Sequence, residues 1–183
     1  ISFMTNTNWQ SYSGETTLTN FVQMIGLTVQ NFISAAVGIS VLLALSRAIA
    51  SKKIETIGNF WVDFTKSILY LLLPLSIILS ILLMSQGVVQ TFSSTVSIQT
   101  LEGNTQILPI GPAASQISIK QLGTNGGGFF GVNSAFPFEN STPFSNFLQV
   151  LSILLIPASL VFTYGKMLNN KKHAWMLFGI MMF

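Results

Sequence analysis

Three long stretches of the chain contain no charged residue: residues 21–46, 67–85 and 144–164. A helix needs roughly 20 mostly apolar residues to cross the hydrocarbon core of a membrane, and each stretch is close to that length or longer. Residues 175–183 are also apolar and look like the start of a fourth span. The pattern therefore predicts an all-α polytopic membrane protein.

Composition supports this prediction. Only 7% of the 183 residues are charged and 50% are hydrophobic, whereas soluble domains are about one quarter charged. The chain contains no cysteine, which excludes disulfides and thiolate metal sites. It opens with isoleucine and closes inside an apolar run, so we expect a fragment of a longer protein.

Basic residues are concentrated in two short connections between the apolar stretches. Seven of the eight lysines and arginines lie there, and basic residues in short loops mark the cytoplasmic face. We therefore expect residues 1–17 and 86–143 to lie outside the cell. Because topology explains the positive charge, we expect no nucleic-acid partner. The seven residues are Arg47, Lys52, Lys53, Lys66, Lys166, Lys171 and Lys172.

Two outer segments resemble each other. Residues 3–9 and 122–129 each contain a Thr-Asn motif, and a glutamate follows each motif. The tetrapeptides Asn-Phe-Val-Gln (20–23) and Asn-Phe-Leu-Gln (146–149) then open two of the apolar stretches. Repeats in transporters usually surround a shared ion path. The order of elements predicts three units: the end of one repeat (1–58), a second repeat (59–172) and the truncated start of a third (173–183).

A short helix is predicted directly before the second Thr-Asn motif. Gly111-Pro112 leads into residues 113–122 and Gly123 follows, and this order of proline and glycine is typical of helix ends. A helix of about 16 Å covers roughly half of a bilayer. We predict a re-entrant pore helix; the alternative is an ordinary surface helix on the outer loop.

The composition of the two loops suits a cation. Selectivity filters replace the water around an ion with backbone carbonyls, and the glycines at 126–128 allow successive carbonyls to turn towards one axis. Threonine hydroxyls and asparagine amides add oxygens or brace the loop. Neither Thr-Asn core contains a carboxylate, which favours a monovalent ion over Ca²⁺ or Mg²⁺. The carboxyl end of the short helix would point its partial negative charge at the site.

Polar residues also recur inside the first apolar stretch and form one helical face. Such groups are costly in lipid, so this face should point inward, either lining a pore or joining helices. The face consists of Gln23, Gln30, Asn31 and Ser34.

The sequence gives little support for a nucleotide-binding or catalytic site. The glycine-rich loop at 123–128 lacks the Lys-Ser/Thr ending of a phosphate-binding loop. Asp63 and Glu139 are lone acids without a visible catalytic partner, and His173 is the single histidine. No catalytic residue is expected.

The outer loops resemble a known family. Residues 5–15 (TNTNWQSYSGE) are similar to the first filter loop of the potassium-binding A subunit of the Kdp potassium-transporting ATPase. Residues 123–130 (GTNGGGFF), with 133–135 and 137–140, resemble its second filter loop. Residues 26–32 and 61–63 also fit the family pattern.

The resemblance implies a fold of four membrane–pore–membrane repeats in the bacterial inner membrane, as in the wider potassium-transporter superfamily. It implies that the subunit selects K⁺ at an outward-facing filter and binds no nucleotide. A separate P-type B subunit would hydrolyse ATP, and small C and F subunits would complete the complex among the membrane lipids.

The resemblance also implies roles for particular residues. Gln10 matches a position linked to ion affinity. The matching filter positions are Asn6, Thr7, Asn8, Thr124, Asn125, Gly126 and Gly127. The expected supporting residues are Thr5, Gln10, Gly128 and Asn133.

The chain departs from the family pattern in two ways. Phe136 and Gly131 stand where the family usually has histidine and asparagine. In addition, two of the four filter loops are missing, so we expect no selective pore from this chain alone. The alternatives are a Trk- or Ktr-type channel subunit and a decayed remnant without transport.

Overall fold

The computed structural model describes residues 1–51 and 56–183. Lys52 and Lys53, which the sequence assigns to a cytoplasmic connection, lie outside the described residues. Within them, three helices are long and apolar enough to cross a membrane: α2 (Val22–Ala50), α3 (Phe60–Ser85) and α5 (Pro143–Met167). A four-residue turn of helix, α1 (Gly14–Thr17), precedes them. The predicted spans are confirmed as helices.

The starts of α3 and α5 are set by capping. The Asn59 side chain accepts hydrogen bonds from the amides of Trp61 and Val62, so α3 begins seven residues before the uncharged stretch. Thr142 and Ser145 form a reciprocal capping box at the start of α5. Such caps satisfy amides that have no partner within the helix.

Two of the spanning helices contain a π-helical segment. Val22–Thr28 opens α2, and Ser67–Leu72 lies inside α3. Pro74 follows the second segment almost directly, and proline has no amide hydrogen to continue a regular ladder. Widened turns of this kind often occur at functional sites, and Gln23 is buried in the first.

The segment between α3 and α5 contains a hairpin and a short helix. Strands β1 (Thr95–Gln99) and β2 (Thr105–Pro109) pair antiparallel, with Thr95 opposite Pro109. The apolar pattern did not predict this hairpin, because both strands are largely exposed.

The short helix is α4 (Ala113–Leu122), with the predicted bounds. Nine of its ten residues are buried, so the surface-helix alternative is wrong. It packs against the second half of α3, against α5 and against the π-helical start of α2. The helices thus enclose α4 and place the loop that follows it at the centre of the fold.

A charged contact joins the ends of α2 and α3. The Arg47 guanidinium contacts both carboxylate oxygens of Asp63, one of them at 2.8 Å. Asp63, a lone acid in the sequence, is therefore a structural partner of Arg47. Beyond α5, the helix α6 (Lys171–Met182) returns from a short turn and packs on α5.

Candidate ion-binding site

The two Thr-Asn loops meet in the fold. We call residues 1–13 the first loop and residues 123–138 the second loop. The Asn8 side-chain amide donates to the Gly126 carbonyl at 2.9 Å, across 118 positions of sequence. The Gln10 side chain donates to the Gly128 carbonyl and accepts from the Gly128 amide, both at 3.0 Å. The second loop is therefore fixed by the first.

Both loops use the left-handed region of backbone conformation. Asn6 and Asn8 have φ of 58° and 50°, and Gly126 and Gly127 have 75° and 67°. Asparagine and glycine tolerate this region well, whereas the β-branched Thr124, at φ 53°, rarely adopts it. Strain of this kind persists where the surroundings hold it and clusters at functional sites. In these loops it turns successive peptide groups in different directions.

The polar face of α2 holds the loops in place. Asn31 accepts from the Asn8 amide at 3.3 Å, and Ser34 accepts from the Asn125 amide at 2.6 Å. The same Asn125 amide contacts the Asn6 side chain. Asn31 and Ser34 of this polar face therefore brace the two loops.

The repeated tetrapeptides contribute two glutamines with matching contacts. Gln23 accepts from the Gln116 side chain of α4 at 3.2 Å and donates to the Phe129 carbonyl at 3.2 Å. Gln149 accepts from Gln121 of α4 at 2.6 Å and donates to the Glu139 carbonyl at 2.9 Å. Each glutamine thus joins α4 to the chain that follows it.

The carboxyl end of α4 leads directly into the second loop. Its carbonyls at Ile119, Lys120 and Gln121 accept from the amides of residues 123, 125 and 124. A Cβ at Gly123 would overlap the Asn125 side chain, so only glycine fits there. The predicted helix end is confirmed, but the loop itself satisfies these carbonyls.

The candidate residues fall into an exposed and a buried group. Asn6, Thr7 and Thr124 are exposed, and Asn6 and Thr124 line one open cavity of about 130 Å³ beside the loops. Asn8 and Asn125 are buried, and the Oδ1 atom of each accepts no hydrogen bond within the described residues. Gly127 and Gly128 are buried and Gly126 is partly buried.

The supporting candidates lie around the loops. The hydroxyls of Thr5 and Thr7 are 2.9 Å apart and bond to each other. Asn133 is exposed, and its Oδ1 atom is the nearest atom, at 3.7 Å, to a Cβ built on Gly126. The structure thus brings Asn125, Gly126, Gly127 and Gly128 of the second loop against residues of the first loop. Thr5 and Thr7 bond within the first loop, and Asn133 lies beside Gly126 of its own loop.

One pair of residues behind the second loop was missed by sequence reasoning. The Lys120 ammonium of α4 contacts the Glu139 carboxylate, and both side chains are fully buried. The sequence marked Glu139 as a lone acid, and Lys120 was the one basic residue outside the predicted cytoplasmic connections, but neither signal indicated that the two would pair.

Comparison with known proteins agrees with the geometry. The family model for the potassium-transporting ATPase A subunit, KdpA, matches residues 1–183. Potassium-transporting ATPase potassium-binding subunits of Leptospira interrogans and Pseudomonas entomophila are each 59% identical over 182 residues, and that of Herpetosiphon aurantiacus is 57% identical over 189.

The matches cover 98–100% of this chain but 32–33% of those proteins, so the chain spans about a third of the length of the curated relatives it matches. Its three apolar helices suit a multi-pass protein of the bacterial inner membrane. The family match supports a potassium-transporting ATPase A subunit rather than a Trk- or Ktr-type channel subunit. The chain belongs to the family of potassium-transporting ATPase A subunits.

Proposed function

We propose that this chain supplies two of the K⁺-binding loops in the potassium-binding and translocating subunit of an ATP-driven uptake complex. The observation that carries the proposal is the joining of the two loops. Asn8 bonds to Gly126 and Gln10 bonds to Gly128, while residues on both loops hold left-handed backbone. In this proposal the filter faces outward, and residues 1–58 and 59–172 belong to successive repeats.

The chemistry of the loops supports a weakly hydrated monovalent cation. The candidate filter residues offer neutral oxygens, which are carbonyls, hydroxyls and side-chain amides. The carboxylate of Glu139, which lies behind the second loop, is engaged by Lys120. A site built from neutral oxygens can replace the hydration shell of K⁺, whereas Ca²⁺ usually recruits carboxylates.

The assignment of ATP hydrolysis to another subunit rests on the resemblance of this chain to potassium-binding subunits. The glycine-rich segment at 123–128 has no Lys-Ser/Thr ending with which to hold a phosphate. We assign hydrolysis to a P-type B subunit, with small C and F subunits as further partners, and we assign no catalytic residue or bound nucleotide to this chain. K⁺ is the transported substrate.

A chimera tests the proposal. This chain replaces the matching 182 residues of the Leptospira interrogans subunit, and the product is made together with the rest of that subunit's complex. The host is a bacterium that cannot grow at low K⁺. We expect the chimera to restore growth and K⁺ uptake, with little competition by Na⁺.

The variant Asn8→Ala in the chimera removes the donor to Gly126 and should weaken apparent K⁺ affinity about tenfold, since one or two buried hydrogen bonds are lost. The matched control is Asn104→Ala, an exposed asparagine next to the hairpin. A chimera that inserts and assembles but takes up Na⁺ as readily as K⁺ contradicts the proposal. A decayed remnant would give no uptake at all.

A further inference from the structure

Lys120 and Glu139 form an ion pair inside the fold. Both side chains are fully buried, and the ammonium contacts the carboxylate oxygen Oε1. Lys120 lies in the last turn of α4, and Glu139 follows the second loop. The ion pair therefore joins a residue just before the second loop to a residue just after it.

Burial of two charges must have a compensating role. Removing an ion from water costs several kcal/mol, and a buried pair often stabilises a protein no better than apolar residues would. An ion pair buried inside a membrane protein therefore points to function more than to stability. The established contacts of the site do not explain why α4 carries a lysine here.

Hydrogen bonds extend the pair into the second loop. Lys120 donates to the Ser134 hydroxyl at 2.7 Å, and that hydroxyl lies 3.2 Å from the Glu139 carboxylate. Gln121 donates to the same hydroxyl at 2.8 Å. Ser134 itself holds left-handed backbone, with φ 74°. The network thus connects α4 with the strained outer part of the loop.

The pair also lies directly behind Gly128. A Cβ built on Gly128 would be 3.0 Å from both Glu139 oxygens and 3.3 Å from the Lys120 ammonium. From the first loop, Gln10 holds the amide and the carbonyl of the same residue. Gly128 is therefore enclosed by the Gln10 amide and the ion pair, with no room for a side chain.

The two charges have opposite effects on a cation in the loops. Lys120 alone would place a positive charge at the end of α4 that should present its negative end to the ion. Glu139 cancels that charge at contact distance. In a buried site such a charge is poorly screened, so its cancellation matters for a bound cation.

We propose that Glu139 is a positioning residue of the K⁺ site, which acts through Lys120: it cancels the buried positive charge behind the second loop, next to the Gly128 backbone that Gln10 holds. The proposal rests on the proposed function, because it concerns the same loops. It predicts that the neutrality of the pair, more than the ion pair itself, sets K⁺ affinity.

The test compares variants in the chimera defined above, with K⁺ uptake measured over a range of K⁺ concentrations. Glu139→Gln leaves the buried Lys120 without its counter-charge. At a pH low enough for Lys120 to keep its proton, the apparent KM for K⁺ should rise by about tenfold or more. The double variant Lys120→Met with Glu139→Gln is neutral again and should return KM to within about threefold of the parent. The maximal uptake rate, corrected for the amount of assembled complex, should change far less than KM.

Asp63→Asn is the matched control, because it breaks the other ion pair of the described residues, remote from the loops. The apparent KM for K⁺ of the Asp63→Asn chimera should equal that of the parent chimera. An unchanged KM in Glu139→Gln overturns the proposal, and so does a double variant as impaired as the single one. If the Glu139→Gln chimera does not assemble, the neutral double variant provides the test. A double variant that assembles but has an apparent KM for K⁺ about tenfold above that of the parent overturns the proposal.

Failure of the proposed function would look different. In that case the parent chimera itself would not select K⁺. A parent that takes up K⁺ normally, with variants that do the same, overturns the role of Glu139 alone.

Discussion

The Gln10 side chain forms two hydrogen bonds with the backbone of Gly128, each 3.0 Å long. One side chain of the first loop thereby binds both the amide hydrogen and the carbonyl oxygen of one residue in the second loop. The distance between the loops is thus set by the length of a glutamine. This contact gives a physical reason for the proposed link between position 10 and ion affinity.

Gln10→Ala in the chimera should weaken K⁺ binding. Loss of two hydrogen bonds costs about 1–3 kcal/mol, and we expect the apparent KM for K⁺ to rise roughly tenfold while assembly is preserved. Transport assays at graded K⁺ concentrations measure this.

Gln90→Ala is the matched control for Gln10→Ala. Gln90 also forms two hydrogen bonds, donating to the Ser115 hydroxyl and accepting from the Ser115 amide, but its own side chain is exposed and lies outside the two loops. The apparent KM for K⁺ of the Gln90→Ala chimera should equal that of the parent chimera. Equal effects of the two variants would show that the loop-to-loop contact has no special importance.

Gly126→Ala should impair K⁺ selection through strain rather than through a clash. Gly126 has φ 75°, and the nearest atom to an added Cβ is 3.7 Å away. An L-residue in this region costs about 1–2 kcal/mol, which the loop can relieve by moving its carbonyls. We expect the ratio of K⁺ to Na⁺ uptake to fall severalfold.

Gly103→Ala is the matched control, because it also places a side chain on left-handed backbone but lies outside the two loops. Gly103 has φ 84° and lies in the hairpin turn, where no atom of the described residues is within 4 Å of an added Cβ. It should leave the ion ratio unchanged. Normal growth of the Gly126→Ala strain at limiting K⁺ would rule out the assigned role of this residue.

Asp63→Asn should affect stability without affecting ion selection. The Arg47 and Asp63 side chains are 31% and 12% exposed, so solvent screens part of their attraction. We expect the free energy of unfolding to fall by about 1–2 kcal/mol. Thermal unfolding in detergent checks this, with the exposed Glu102→Gln as the control. A melting temperature equal to that of the parent would mean that the pair contributes nothing.

The orientation in the membrane can be tested with single cysteines, because the chain contains none. Thr105 lies in the exposed strand β2 and Lys171 at the exposed start of α6. An impermeant thiol reagent added outside intact cells should label Thr105→Cys and spare Lys171→Cys. The reverse pattern would mean that the orientation is inverted.

Expressed by itself, the 183-residue chain should insert into membranes without carrying K⁺. Its two loops leave Asn6, Thr7 and Thr124 exposed on one side, and a cation there would face lipid, which is costly. A K⁺-sensitive dye in liposomes measures the flux. Selective K⁺ flux from the chain alone would show that two copies complete a filter.

Local signals predicted part of this structure well. Pro112 and Gly123 gave the bounds of α4, because both act through their own backbone. The start of α3 was not predicted, because the Asn59 cap allows the helix to include Asp63 and Lys66 beyond the uncharged stretch. The hairpin was missed because its exposed strands have no buried face to produce an alternating pattern.

The contacts of the candidate site were harder to predict. The repeated tetrapeptides marked Gln23 and Gln149, but their partners on α4 depend on how three helices pack. Glu139 was expected to be a lone acid, because its contact with Lys120 depends on how the second loop folds back onto α4. The sequence could therefore indicate which residues matter in the loops and could not indicate what holds them.

The long separation of the contacting loops has a consequence for biosynthesis. Membrane proteins are made from the amino terminus, and Asn8 leaves the ribosome 118 residues before Gly126. At about 5–20 residues per second, this interval is about 6–24 s. During that time the left-handed backbone of Asn6 and Asn8 lacks its partners. A nascent chain arrested before residue 123 should thus be open to protease within residues 1–13, and extension past residue 128 should close it.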